Sequence, residues 1–193
     1  TLLRNHKDVW VEKPLCLTKS DLESIIGTAK SVKSKLFVGY NRRYSPIAKY
    51  LNKKLKQKKG AILIKMQVNA GKLPNNHWLL DSKIGGGRII GEGCHFVDLA
   101  LYLNKANLRD VKCISRDSDG QDGGVFQFNF EDGSISTLEY LTTLDPKIPK
   151  EIISISQNRV SYEIYNWSHL KRNGKRNLLV RGGKGHNEAL KEF

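Results

Sequence analysis

The chain has 193 residues, 39% apolar and 27% charged, enough to bury about 70% of its unfolded surface without disulfides or metals. No apolar run approaches the roughly 20 residues that span a bilayer, and three cysteines without a CxxC pair exclude a disulfide scaffold or a zinc ribbon. Thirty-three Lys and Arg against nineteen Asp and Glu give a net charge of +14, which favours anionic partners.

The first residues, Leu2 to Lys7, read as a helix end or loop, and Val9-Trp10-Val11 as a short strand stopped by Glu12-Lys13-Pro14. Thr18-Lys19-Ser20-Asp21 fits a capping box. Leu22, Ile25, Ile26, Ala29 and Val32 follow at helical spacing and predict an amphipathic helix packed on one side. Leu36 to Tyr40 is a continuous apolar run, expected as a buried parallel strand. Strand, helix and strand over about 30 residues make one βαβ unit. Asn41-Arg42-Arg43-Tyr44 closes it, and Ser45-Pro46 starts a second helix with Ile47, Leu51 and Leu55 inward, ended by Gly60.

Beyond this point the period changes. Residues 61–70 alternate, with Ile62, Ile64, Met66 and Val68 on one face, and read as an antiparallel strand. Val125 to Phe130 and Ser134 to Tyr140 form a hairpin through Glu131-Asp132-Gly133-Ser134. Ile152 to Ile155 and Val160 to Tyr165 form another pair, and Leu178 to Val180 a last strand. A glycine-led helix runs from about Ile90 to Leu103, and a final helix begins at His186. The expected fold class is α+β: residues 1–43 as the end of a Rossmann-type parallel domain, then residues 44–193 as a domain with a large, mostly antiparallel open sheet. Two strands and a helix cannot bury both faces of a parallel sheet, so an N-terminal portion is expected to precede Thr1, or another chain to supply it.

Three segments carry candidate chemistry. Glu12-Lys13-Pro14 ends a parallel strand, where open α/β sheets bind ligands; an ordinary surface lysine reads the same from the tripeptide alone. Arg42 and Arg43 end the second parallel strand and could clamp a carboxylate or phosphate, or form a solvated basic turn. Gly85-Gly86-Gly87 leads into Gly91-Glu92-Gly93-Cys94-His95-Phe96-Val97-Asp98. Such glycines let a backbone approach a ligand, and His95 there is placed as a general base or as a satisfied core histidine. No metal is expected: Glu92-x-x-His95 has di-iron spacing, but a second copy and further carboxylates are lacking. Cys94 lies on a different helical face from His95, which weakens a thiol mechanism. Gly182-Gly183-Lys184-Gly185 lacks phosphate-loop spacing and reads as a turn.

In order, strand-Glu-Lys-Pro, strand-Gly-Tyr-Asn-Arg-Arg-Tyr and Gly-Gly-Gly…Gly-x-His-x-x-Asp resemble the glucose–fructose oxidoreductase/inositol dehydrogenase/MocA-type (Gfo/Idh/MocA) oxidoreductases over roughly Val9 to Phe193. The resemblance implies an NAD(P)-dependent, cytoplasmic enzyme of carbohydrate metabolism, a homo-oligomer through its open sheet, acting on a sugar, sugar-nucleotide or polyol hydroxyl. It implies Lys13 as the active-site lysine, Pro14 shaping the turn near the nicotinamide and His95 as general base. Glu12 would lie near the cofactor, Arg42 and Arg43 near the cofactor or the substrate, and His77 and Trp78 near the sugar. Where many members carry an aspartate four residues before the histidine, this chain has Gly91, with Glu92 beside it; either Glu92 takes over, or the site works without that carboxylate. The Gly-x-Gly-x-x-Gly turn that seats a pyrophosphate does not occur in the chain. This segment alone is therefore expected to bind NAD or NADP weakly or not at all. The alternative reading is a non-catalytic binding or dimerisation module for an anionic ligand or nucleic acid. Nucleic acid is the lesser expectation, because aromatics are few and no basic run exceeds three residues. No membrane partner is expected.

Overall fold

A computed structural model describes residues 2–116, 120–177 and 179–193. At the front, β1 (Val9–Val11) and β2 (Leu36–Val38) pair in parallel, joined by α1 (Lys19–Val32). Thr18 caps α1: its Oγ1 accepts from the Asp21 N–H at 3.1 Å and donates to Asp21 Oδ2 at 2.6 Å. The expected burial of this unit is corrected. No residue of α1 is fully buried, Leu22 and Ile26 remain exposed, and both strands are half-buried. A two-stranded sheet is too narrow to cover a four-turn helix.

After a 3₁₀ turn, Asn41–Tyr44, comes α2 (Pro46–Lys56), capped by Ser45 Oγ accepting from the Ile47 N–H at 3.2 Å. Ile47, Leu51 and Leu55 are fully buried, as their spacing predicts. Then follow β3 (Leu63–Asn69) and α3 (Cys94–Leu103), the helix entered through a π turn, Ile89–Gly93. The remaining strands are β4 (Leu108–Arg116), β5 (Gly124–Phe130), β6 (Ile135–Leu141), β7 (Glu151–Gln157), β8 (Val160–Tyr165), β9 (His169–Arg172) and β10 (Lys175–Asn177), and α4 (His186–Glu192) closes the chain.

These strands make one eight-stranded sheet in the order β10-β9-β8-β7-β3-β6-β5-β4. The pairing is antiparallel throughout except between β3 and β6, which run parallel. β3 is thus not a purely antiparallel strand: α3 and the β4–β5 ribbon intervene before β6 returns beside it. α2 and α3 cover one face of the sheet, burying Leu51, Phe96, Leu99 and Leu103 against Ile64, Met66, Leu138 and Ile153. The other face is open and mixed, with Lys65, Gln67, Thr137 and Glu139 on it.

The last strand is corrected from Leu178–Val180 to Lys175–Asn177. Leu178 lies outside the described residues, and Leu179 and Val180 are turn and bend. β4 and β10 are the two edge strands, where burial does not enforce alternation, and β9 is only four residues long with a single buried position, Leu170, so the sequence pattern marks none of the three. Among the described residues no helix is long and apolar enough to cross a membrane.

Candidate active site

The carboxyl ends of β1 and β2, the π turn before α3, and the facing ends of β6 and β7 converge on one place. Glu12-Lys13-Pro14 follows β1 directly. The Lys13 ammonium donates to the Gly91 carbonyl at 2.7 Å, a span of 78 residues in sequence. Gly91 sits inside the π turn, where the wider winding changes the helical hydrogen-bonding pattern. Thus the position at which the family resemblance leads one to look for a carboxylate offers the lysine a backbone oxygen.

His95 lies one residue into α3. Two cavities meet at Lys13 and His95. One, of about 110 Å³, adds Glu92, Tyr140, Lys150 and Glu151. The other, of about 270 Å³, adds Trp10, Glu12, Asn41 and His186. His95 Nδ1 is buried without a hydrogen-bond partner. Burial first, then the charges of Arg42 and Lys13, pull the imidazole down to about 3. The ring is therefore unprotonated at neutral pH and available to accept a proton, but as a weak base, since the best general base has its value near the operating pH. Asp98, one turn on, does not serve His95; it pairs with Arg43, whose Nε donates to Asp98 Oδ2 at 2.8 Å and whose Nη2 bonds Oδ1.

Arg42 is committed in the same way. Its Nε and Nη2 grip Glu151 at 3.0 and 2.8 Å, and its guanidinium lies over the Phe96 ring at 4.6 Å. Glu151 also accepts from Trp167 Nε1 at 2.7 Å and Lys184 Nζ at 2.9 Å. Burial alone would raise the Glu151 carboxyl, but Arg42 and Lys184 bring it to about 2. Both arginines therefore act as ties that fix the turn after β2 to α3 and β7. Their fork geometry is satisfied by protein carboxylates rather than left open for a ligand.

Glu92 stays with the catalytic candidates. It accepts from the Tyr140 hydroxyl and lies 3.5 Å from Arg88 Nη2. Arg88, almost fully buried, donates from Nη1 to the Gly71 carbonyl at 2.6 Å and from Nη2 to the Ala70 carbonyl at 2.8 Å. Glu12 accepts from Trp10 Nε1 at 3.1 Å and lines the larger cavity. Pro14 lines a third, apolar cavity of about 390 Å³ with Cys16, Tyr40 and Cys94. Burial pushes the Cys94 thiol up to about 11, so it is not a thiolate. His77 caps the turn Trp78–Leu80, its Nδ1 accepting from the Leu79 N–H at 3.2 Å, and Trp78 is exposed. Neither lines the cavities that hold Lys13 and His95.

The glycine run has a different purpose from the one its composition suggests. A Cβ on Gly85 would stand 2.5 Å from the Leu79 backbone, and one on Gly91 2.4 Å from the Leu79 side chain. These glycines let the chain pack on itself. Gly182-Gly183-Lys184-Gly185 likewise forms a close-packed strap: a Cβ on Gly182 would meet the Ser168 carbonyl at 2.2 Å.

Tyr140, Glu151 and His186 line the same cavities without a motif to single them out, and Asn41, which stands in the Asn-Arg-Arg-Tyr motif, joins them. Glu151 did leave a signal, since an acid occupies an inward position of a strand whose other inward residues are Ile153, Ile155 and Gln157. His186 left none; the final helix brings it there, and Asn41 Nδ2 lies 3.2 Å from its Nε2.

No family model matches the sequence, and no curated protein does. Solved structures do. An inositol dehydrogenase homolog complexed with NAD+ from Azotobacter vinelandii superposes with TM-score 0.80 at 19% identity, over 98% of this chain and 55% of that one. An aldose-aldose oxidoreductase from Caulobacter crescentus complexed with glycerol gives 0.78 at 20%, over 97% and 61%. An NAD-binding protein from Listeria innocua gives 0.72 at 26%, over 87% and 52%. The chain thus spans only part of the length of the structures it matches, and it has the fold of the carboxyl-terminal part of Gfo/Idh/MocA-type oxidoreductases.

Proposed function

We propose that this chain is the catalytic and substrate-binding part of an NAD(P)-dependent oxidoreductase that transfers hydride from a sugar, sugar-nucleotide or polyol hydroxyl. The observation that carries this reading is the meeting of two cavities at Lys13 and His95, whose buried Nδ1 has no hydrogen-bond partner. A nicotinamide, when bound, supplies the hydride acceptor. The residues present fit its reactive end: the Lys13-Pro14 turn closes a parallel strand, where dinucleotide folds place their ligands, and Glu12 and Lys13 line the adjoining cavity. No glycine fingerprint for the pyrophosphate occurs in the sequence.

The chemistry of the chain's own groups is direct. The Lys13 ammonium binds the reacting hydroxyl and favours its alkoxide. His95 accepts the hydroxyl proton as the C–H electron pair leaves the same carbon, so CH–OH becomes C=O with one hydride and one proton released. Glu92, held by Tyr140 and Arg88, faces the same cavity and orients the remaining hydroxyls. Arg42 and Arg43 position the site through Glu151 and Asp98. In the full-length protein, residues 1–43 complete a dinucleotide-binding domain, residues 44–193 form the substrate domain, and the open sheet face joins a second copy.

Lys13→Met and His95→Asn in the full-length enzyme are expected to lower kcat/KM by roughly 10²–10⁴ while leaving the oligomeric state unchanged. Undiminished turnover in both variants contradicts the assignment. The 193-residue chain alone is expected to show no saturable NADH binding in calorimetry; a micromolar isotherm overturns that expectation.

A further inference from the structure

A larger cleft, of about 620 Å³, lies away from Lys13 and His95, between α2 and the β9–β10 hairpin. Its charge is not that of an average surface. Residues 24–80, which include α2, contain no Asp or Glu, and neither do residues 164–187, which include the hairpin. Tyr50 of the first segment meets Arg172, Asn173, Lys175, Arg176 and Asn177 of the second across the cleft. Arg172, Lys175 and Arg176 line the cleft, and none of them enters an ion pair among the described residues. Tyr50 forms its α2 side, with the Lys54 ammonium 5.7 Å from the ring centre.

The two asparagines of the cleft sharpen the chemistry. Asn173 Oδ1 accepts from the Ser161 N–H at 2.8 Å, and Asn177 Oδ1 from the Leu179 N–H at 3.0 Å. Each carbonyl oxygen is used inward by backbone, which leaves each NH₂ as the group free to reach a ligand. The polar wall therefore offers cations and amide donors but no carboxylate. Only a ligand made of acceptors satisfies it, and several cations together match several clustered negative charges. The volume lies in the range of small-ligand sites, roughly 300–1,000 Å³.

We propose that the α2/β9–β10 cleft binds a small ligand with clustered phosphates, of nucleotide size, through Arg172, Lys175, Arg176 and the amides of Asn173 and Asn177. None of these residues lines the Lys13–His95 cavities, so the inference stands or falls independently of the oxidoreductase reading.

Calorimetry on the intact chain with inorganic tripolyphosphate and with UDP tests this. The cleft side chains Arg172 and Arg176 are exposed, so an Arg172→Gln/Arg176→Gln variant is expected to fold, which circular dichroism checks. Saturable binding is expected, weakened on the order of tenfold or more in that double variant and unchanged in Lys65→Gln on the opposite sheet face. Tighter binding of UDP than of tripolyphosphate identifies a nucleotide as the source of the phosphates; the reverse identifies a polyphosphate; either supports the site. No saturable binding of either probe overturns the proposal, as does an equal loss in Lys65→Gln. Binding confined to single-stranded RNA, with neither small probe bound, also overturns it and makes the band a nucleic-acid surface.

Discussion

His95 carries the sharpest residue-scale consequence. The free imidazole titrates near 6.5, whereas burial together with Arg42 and Lys13 brings it to about 3 in the fold. Between those values the unfolded chain binds one proton more than the folded chain. Stability contributed by neutral His95 is therefore complete above pH 6.5 and is lost as pH falls toward 3, with a slope of up to about 1.4 kcal/mol per pH unit. Urea unfolding of the wild type and of His95→Gln over this range checks it. The difference between the two proteins is expected to shift in the variant's favour as the medium is acidified; a constant difference contradicts a buried neutral imidazole. Glu151 titrates in an overlapping acid window, because Arg42 and Lys184 outweigh its burial and hold it near 2. It is present in both proteins, so it cancels in the comparison.

At the scale of elements, glycines separate packing from propensity. Gly27 stands in α1, and a Cβ there meets nothing within 4 Å. Gly27→Ala is expected to stabilise by about 1 kcal/mol, since alanine is the better helix former. Gly85→Ala puts a methyl 2.5 Å from the Leu79 backbone, where overpacking costs about 1–3 kcal/mol. Opposite shifts of the denaturant midpoint are the expected outcome, and equal shifts contradict the packing described for the glycine run. The same elements show what was legible beforehand. The Thr18 cap, the inward Ile47-Leu51-Leu55 row and the alternation of β3 are local patterns, and each appears where its period puts it. β9 and β10 flank Asn173-Gly174, whose positive φ angles of +48° and +78° fit a tight hairpin turn. Their side chains, however, are mostly charged and solvated, so no alternation marked them. Lys13 and His95 were legible through short motifs at a strand end and a helix start. The ties of Arg42 to Glu151 and of Arg43 to Asp98 were not, since they join positions 109 and 55 residues apart.

For the whole molecule, the +14 charge divides by place rather than spreading evenly. Around Lys13 and His95 the arginines meet buried carboxylates, which fixes geometry at little net charge. On the β9–β10 hairpin Arg172, Lys175 and Arg176 form no ion pair among the described residues, whereas on α2 Lys49 pairs with Glu192. The proposed active site thus has its arginines neutralised, whereas the proposed phosphate cleft keeps Arg172, Lys175 and Arg176 without an ion pair among the described residues. The most direct test of the reaction follows the transferred hydrogen itself. The full-length protein is incubated with NAD or NADP and with polyols, aldoses and nucleotide sugars deuterated at the carbinol carbon, and the nicotinamide is read by mass spectrometry. Deuterium on the reduced nicotinamide, lost with Lys13→Met, is the result predicted by hydride transfer at this site. Deuterium released to solvent, with the nicotinamide unlabelled, would contradict it.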